Sequence, residues 1–139
     1  MRHWTRIAFV ALMFVPIVAS AQFRDLDTAM SNLERGFGSG DVDAIVSGIG
    51  ASEQVMLQFP GLAEKDGYFG RDQAAYLLDA LFNKVKPSGF ERVGVKGARA
   101  EKQYEITAKW TIAGGVRDLV ITLRQKDGRW SIASVRSAG

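Results

Sequence analysis

Hydrophobic residues in this chain recur with two different periods, and the change falls at Pro87. Before it, apolar positions mostly return every three or four residues, as one face of a helix requires. After it they alternate with polar ones, as a strand covered on one side requires. Helices gathered ahead of successive strands exclude an alternating parallel α/β layout and predict an α+β domain. The alternation itself predicts antiparallel pairing with one face in water, because strands buried on both faces would read as continuous apolar runs.

Leu26, Ala29, Met30, Leu33 and Phe37 follow Asp25 as an N-cap and predict a first helix, stopped by Gly36 and Gly38. Ser39-Gly-Asp41 caps the chain again, and Val42, Ile45, Val46 and Ile49 repeat the pattern up to Gly48 and Gly50. Glu53 to Phe59 reads as a strand with Val55, Leu57 and Phe59 on one face, closed by Pro60-Gly61. A polar loop from Leu62 to Asp66 leads through Asp66-Gly67 into Tyr68-Phe69, which is expected to pair with that strand. The central helix is predicted from Asp72, as N-cap, to Lys84, before Pro87 blocks continuation. Its stripe of Ala74, Ala75, Leu78, Leu81 and Phe82 is the face a sheet would cover.

Phe90, Val93 and Val95 begin the sheet. Tyr104, Ile106, Ala108, Trp110 and Ile112 then form the clearest inward row, with Glu105, Thr107, Lys109 and Thr111 outward. Leu119, Ile121 and Leu123 make the next row, and Lys126-Asp-Gly-Arg129 is a two-residue hairpin turn into Trp130-Ser-Ile132. Thr107, Thr111, Val120 and Thr122 form a low-charge outward strip that suits contact with a second copy, so a homodimer is expected.

A basic start with Arg2 and Arg6, an apolar run from Ile7 to Val18 and the small-residue site Ala19-Ser-Ala21 read as a signal peptide over residues 1–21, with cleavage before Gln22. Twelve residues span only ~18 Å as a helix, too short for a ~30 Å hydrocarbon core, so no stable membrane anchor is expected. The remainder, 22–139, is read as a single domain, exported to the periplasm or secreted. The chain has no cysteine, hence neither disulfides nor a site for a thioether-linked lipid. Residues 22–89 hold six basic and ten acidic groups, and residues 90–139 hold ten and five. That near-neutral balance, with export, argues against a nucleic-acid partner. The basic residues of the second half read instead as a solvated sheet face that discourages edge pairing.

His3 is the only histidine and lies in the leader, so the mature chain lacks imidazole as well as thiol. Zinc sites, catalytic triads and thiol chemistry are therefore not expected, and no metal or cofactor is assigned. Gly36-Phe-Gly-Ser-Gly40 lies between helices, without a preceding strand, and is read as a helix end and turn, not a phosphate loop.

The order of elements, the junction Phe37-Gly-Ser-Gly-Asp41 and the segment Tyr68-Phe-Gly-Arg-Asp-Gln-Ala75 with Leu81-Phe82 resemble the nuclear transport factor 2-like superfamily, and within it a bacterial exported family of unknown function. The closing hairpin from Leu123 to Trp130, with Arg136, fits as well. The resemblance implies three helices packed on a strongly curved antiparallel sheet of four to six strands, cone-like in form. Enzymes of that superfamily often use an aspartate or histidine inside the cone, sometimes with a tyrosine. The inward row here carries no acid, so no catalytic residue is assigned; Asp66, Asp72, Asp79 and Asp118 read as caps and solvated positions. Tyr68, Tyr76, Tyr104 and Trp110 are the residues that could line a pocket, since such rings combine apolar area with a polar tip. The expected function is binding of a small apolar ligand or an envelope protein. The alternative is a cofactor-independent lyase or isomerase using a buried Asp with a Tyr.

Overall fold

The computed structural model describes residues 25–98 and 102–138. The predicted leader therefore lies outside the described residues. Three helices, α1 (Leu26–Ser39), α2 (Val42–Val46) and α3 (Arg71–Val85), pack on strands β1 (Gln54–Gln58), β2 (Gly67–Gly70), β3 (Gly89–Ala98), β4 (Gln103–Ile112), β5 (Gly115–Lys126) and β6 (Arg129–Ser137). The result is the expected α+β arrangement on a curved sheet. All six strands form one sheet in the order β2-β1-β6-β5-β4-β3.

The helix starts follow from local chemistry. The Asp25 carboxylate accepts from the Thr28 amide at 2.7 Å, and Asp41 accepts from the Ala44 amide at 3.3 Å, each satisfying a donor that the first turn leaves free. Asp72 is not the cap of α3, as the sequence suggested: the helix begins at Arg71, with extended Gly70 before it donating its amide to Gln73 Oε1 at 3.4 Å. Asp72 sits within the first turn, where its charge complements the positive helix end.

Nor do Gly36 and Gly38 stop α1. It runs on to Ser39 and ends at Gly40, whose φ of 78° only glycine adopts freely. Gly36 is a close-approach residue instead, since a Cβ there would lie 2.3 Å from Ile45 Cγ1. Gly36→Ala should accordingly destabilise the domain by about 1–3 kcal/mol through overpacking, outweighing a helix-propensity gain of up to about 1 kcal/mol. A double-mutant cycle with Ile45→Ala, followed by urea denaturation, should show coupling between the two sites. Strict additivity would mean the contact does not limit this packing.

Consecutive strands from β3 to β6 pair antiparallel, as β1 does with β2. The exception is β1 with β6, which run parallel through Met56↔Ser134, Leu57↔Val135 and Gln58↔Arg136. The sheet is therefore mixed where antiparallel pairing alone was expected. Two register shifts, at Arg92/Gly94 and Thr122/Leu123, insert an extra residue into one strand and bend the sheet around the helices. The Asp127-Gly128 turn has φ of 54° and 78°, the left-handed pair that a two-residue hairpin needs.

Val55, Leu57, Ile106, Trp110, Leu119, Ile121, Leu123 and Val135 point inward from the sheet and meet Leu33, Phe37, Leu78, Leu81 and Phe82 from the helices in one core. Phe37, Phe59, Phe82 and Phe90 surround Trp110 or one another, with ring centroids 5.7 to 6.2 Å apart. Aromatic rings therefore fill the middle of the cone. On the opposite face Thr107, Thr111, Val120 and Thr122 lie together, half-buried by their neighbours.

Candidate functional site

A trough of about 800 Å³ opens on the helical side of the molecule. One wall is the outward flank of α3, with Asp72, Gln73, Tyr76, Leu77, Ala80 and Lys84. The other is the loop Leu62–Lys65 together with Tyr68 and Phe69 of β2. The loop is shaped by its own backbone: Gly61 turns it with a φ of 74°, and the amides of Leu62 and Ala63 both donate to the Phe59 carbonyl at 3.0 Å. Lys84 Nζ donates to the Leu62 carbonyl at 3.1 Å and holds the loop against the last turn of the helix.

Successive side chains of a strand point to opposite faces of the sheet. Phe69, paired with the inward Val55, and Tyr68, paired with Met56, take opposite faces of β2, and both residues line the trough. β1 occupies one edge of β2, and β2 is last in the sheet, so no described strand lies along its other edge. The trough thus joins apolar side chains from α3 and the loop to the end strand of the sheet.

The four aromatic residues suggested by the sequence are divided by the fold. Tyr68 and Tyr76 both line the trough and are 69% and 81% exposed. Trp110 is closed over in the core, and its indole N–H donates to the Phe37 carbonyl at 2.9 Å. Tyr104 packs against Trp130, the rings tilted and their centroids 5.2 Å apart, and is not among the residues of the trough. Leu62, Ala63, Phe69, Leu77 and Ala80 complete the site and were not singled out in the sequence. A signal for the helical part exists: Gln73, Tyr76, Leu77 and Ala80 fall at i, i+3, i+4 and i+7, a second and weaker stripe beside the core stripe of α3.

Among the described residues the buried polar ones are Ser131 and Ser137. No Asp or Glu among the described residues is buried, and Asp66, Asp72, Asp79 and Asp118 are all exposed. No cluster of three or more His, Cys, Asp or Glu able to hold a metal occurs among the described residues. No helix among them is long and apolar enough to cross a membrane. The trough presents apolar side chains, the phenol hydroxyls of Tyr68 and Tyr76, and the charged groups of Glu64, Lys65, Asp72 and Lys84.

The fold is similar to that of solved proteins. A DUF4783 family protein from Bacteroides ovatus matches with a TM-score of 0.67 at 17% identity, over 77% of this chain and 91% of that one. A second from Bacteroides fragilis matches with a TM-score of 0.65 at 20% identity, over 76% and 93%. An NTF-2 like protein of unknown function from Silicibacter pomeroyi matches with a TM-score of 0.55 at 15% identity, over 81% and 90%. At such identities the likeness is one of fold. Among curated proteins none matches the chain. The family model described as a domain of unknown function (DUF4783) does match, over residues 30–137, most of the chain, and with the three helices and bent six-stranded sheet set out above it follows that the chain belongs to the DUF4783 family, in an NTF2-like fold.

Proposed function

We propose that this protein is an exported binding domain, and that its ligand site is the trough between α3 and the edge of β2, not the interior of the cone. The observation that carries this reading is the pairing of a filled interior with two exposed tyrosines on one open depression. Phe37, Phe59, Phe82 and Trp110 occupy the space where a cone-shaped domain could hold a ligand, while Tyr68 and Tyr76 keep large apolar area in water. Large exposed rings grouped with Leu62 and Leu77 favour a partner, because burying them on binding recovers the free energy lost to their hydration. A lyase or isomerase built on a buried Asp has less support, as its acid would need enclosure to raise its pKa and the described carboxylates lie outside the core.

Titration with an apolar fluorescent dye tests the reading. Tyr76→Ala should weaken binding by about tenfold, the equivalent of roughly 1.4 kcal/mol for one aromatic anchor. Its stability should stay within about 0.5 kcal/mol of wild type, as for other surface changes. Val116→Ser, exposed and remote from the trough, should leave dye binding unchanged. Dye binding indifferent to Tyr76→Ala would overturn the assignment. Export is part of the same reading: protein from the envelope fraction should begin at Gln22, and a chain that keeps Met1 in the cytosol would contradict it.

A further inference from the structure

We infer that the occupant of the trough is a second copy of this chain, docked about a two-fold axis with its α3 antiparallel to the first and each Tyr76 ring set into the other's trough. The inference rests on the proposed binding role of this site and names the partner. A two-fold contact lays one surface patch against itself, so the patch has to be complementary to itself. Three observations carry that property here.

First, the charges of the lining balance. Glu64 and Asp72 stand against Lys65 and Lys84, so the patch has no net charge and meets its own copy without overall repulsion. None of the four belongs to an ion pair among the described residues, where the pairs formed are Arg35–Asp41 and Lys109–Asp118. Their order along α3 sets the direction of docking, since Asp72 lies in the first turn of the helix and Lys84 in the last. Parallel copies would set like charge beside like. Antiparallel copies bring the acidic end of each helix beside the basic end of the other.

Second, one register satisfies charge and shape together. The antiparallel arrangement that brings Asp72 level with Lys84 of the second copy is centred at the level of Leu78, midway between them in the chain. Tyr76 and Ala80 are placed evenly about the same centre, so each Tyr76 ring comes level with Ala80 of the second copy. A large side chain therefore meets a small one at both symmetry-related places, which gives the ring room and lets the helices approach. The wall from Asp72 to Lys84 extends ~18 Å along the helix axis, about three turns over which the pair is in contact.

Third, the apolar area left in water is concentrated on this patch. Among the described residues Tyr76 and Tyr68 are the most open of the large exposed apolar side chains, and both belong to the trough. The outer-face strip of Thr107, Thr111, Val120 and Thr122, which the sequence offered for a dimer, carries no ring and is half-buried by its own neighbours. Less apolar surface leaves water when that strip is covered, so the α3 flank gains more from a second copy.

Light scattering of the whole mature chain over a concentration series tests this. Wild type should pass from monomer to dimer as it is concentrated, and the apolar dye should be displaced over the same range, since dye and second copy compete for the trough. Asp72→Lys and Lys84→Asp, each alone, set like charges together at both ends of the helix pair and should weaken the dimer by roughly tenfold or more. An equimolar mixture of the two variants should associate again, because acid then lies beside base at both ends; a fold damaged by either change would not recover in this way. Thr122→Glu, on the outer sheet face, should leave association unchanged. A mixture that stays monomeric where wild type dimerises overturns the inference, as does a dimer lost to Thr122→Glu and kept by both charge variants. If the chain is monomeric at every concentration while the dye still depends on Tyr76, this inference fails and the binding role stands; if neither dye binding nor association responds to Tyr76→Ala, both fail.

Discussion

Replacing Trp110 by alanine should destabilise the domain by about 3–5 kcal/mol, a large part of the ~5–15 kcal/mol that holds a typical domain together. The side chain is fully buried, and rings from α1, α3 and the segment after β1 close on it: Phe37 at 5.7 Å, Phe82 at 6.1 Å and Phe59 at 5.9 Å. Truncation removes its burial and leaves a void between layers that cannot all collapse. It also removes a hydrogen bond with a specific purpose. α1 ends at Ser39, so the Phe37 carbonyl belongs to the last turn, where the helix supplies no amide donor. The indole N–H of Trp110 satisfies that oxygen at 2.9 Å. Trp110→Phe keeps most of the apolar volume yet orphans the buried carbonyl, which should by itself cost about 1–3 kcal/mol. Urea denaturation of the two variants separates the terms. Equal losses would show that the hydrogen bond is the main contribution, and a Trp110→Phe variant as stable as wild type would show that water or a backbone shift replaces it.

Leu78→Ala should cost about 2–5 kcal/mol, because the residue is completely buried where α3 meets the sheet and alanine would leave a cavity there. Asp79→Ala, on the exposed side of the same helix, should fall within about 0.5 kcal/mol of wild type. The adjacent pair isolates packing from helix formation, since both changes place the same good helix former in the same helix. Similar midpoints for the two variants would mean that α3 does not depend on its inward face for anchoring.

Much of this architecture is legible in the chain because it is encoded over a few residues at a time. The alternation from Tyr104 to Ile112 announces β4 and its inward face, and Asp25, Asp41 and Asp127-Gly128 announce two helix starts and a hairpin, each through chemistry that acts within four residues. Signals of the same kind mislead when a residue serves a distant contact. Gly36 looks like a helix stop, yet it is a glycine because Ile45 of α2 presses on it. The parallel pairing of β1 with β6 joins segments some eighty residues apart, and no local pattern distinguishes it from an antiparallel pair.

The site shows the division most clearly. Tyr68, Tyr76, Tyr104 and Trp110 are alike in the sequence as aromatic residues at periodic positions, and periodicity alone decides which face of an element each occupies. What covers that face is decided by the tertiary structure. Trp110 is roofed by α1 and α3 and becomes core, Tyr104 is taken up by Trp130, and Tyr68 and Tyr76 are left on the rim because β2 is the last of the described strands in the sheet. Helix and strand follow from interactions between near neighbours, which the order of residues contains directly. A ligand trough is a gap between elements, and it exists only once strand order and helix placement have settled which surfaces go without a partner.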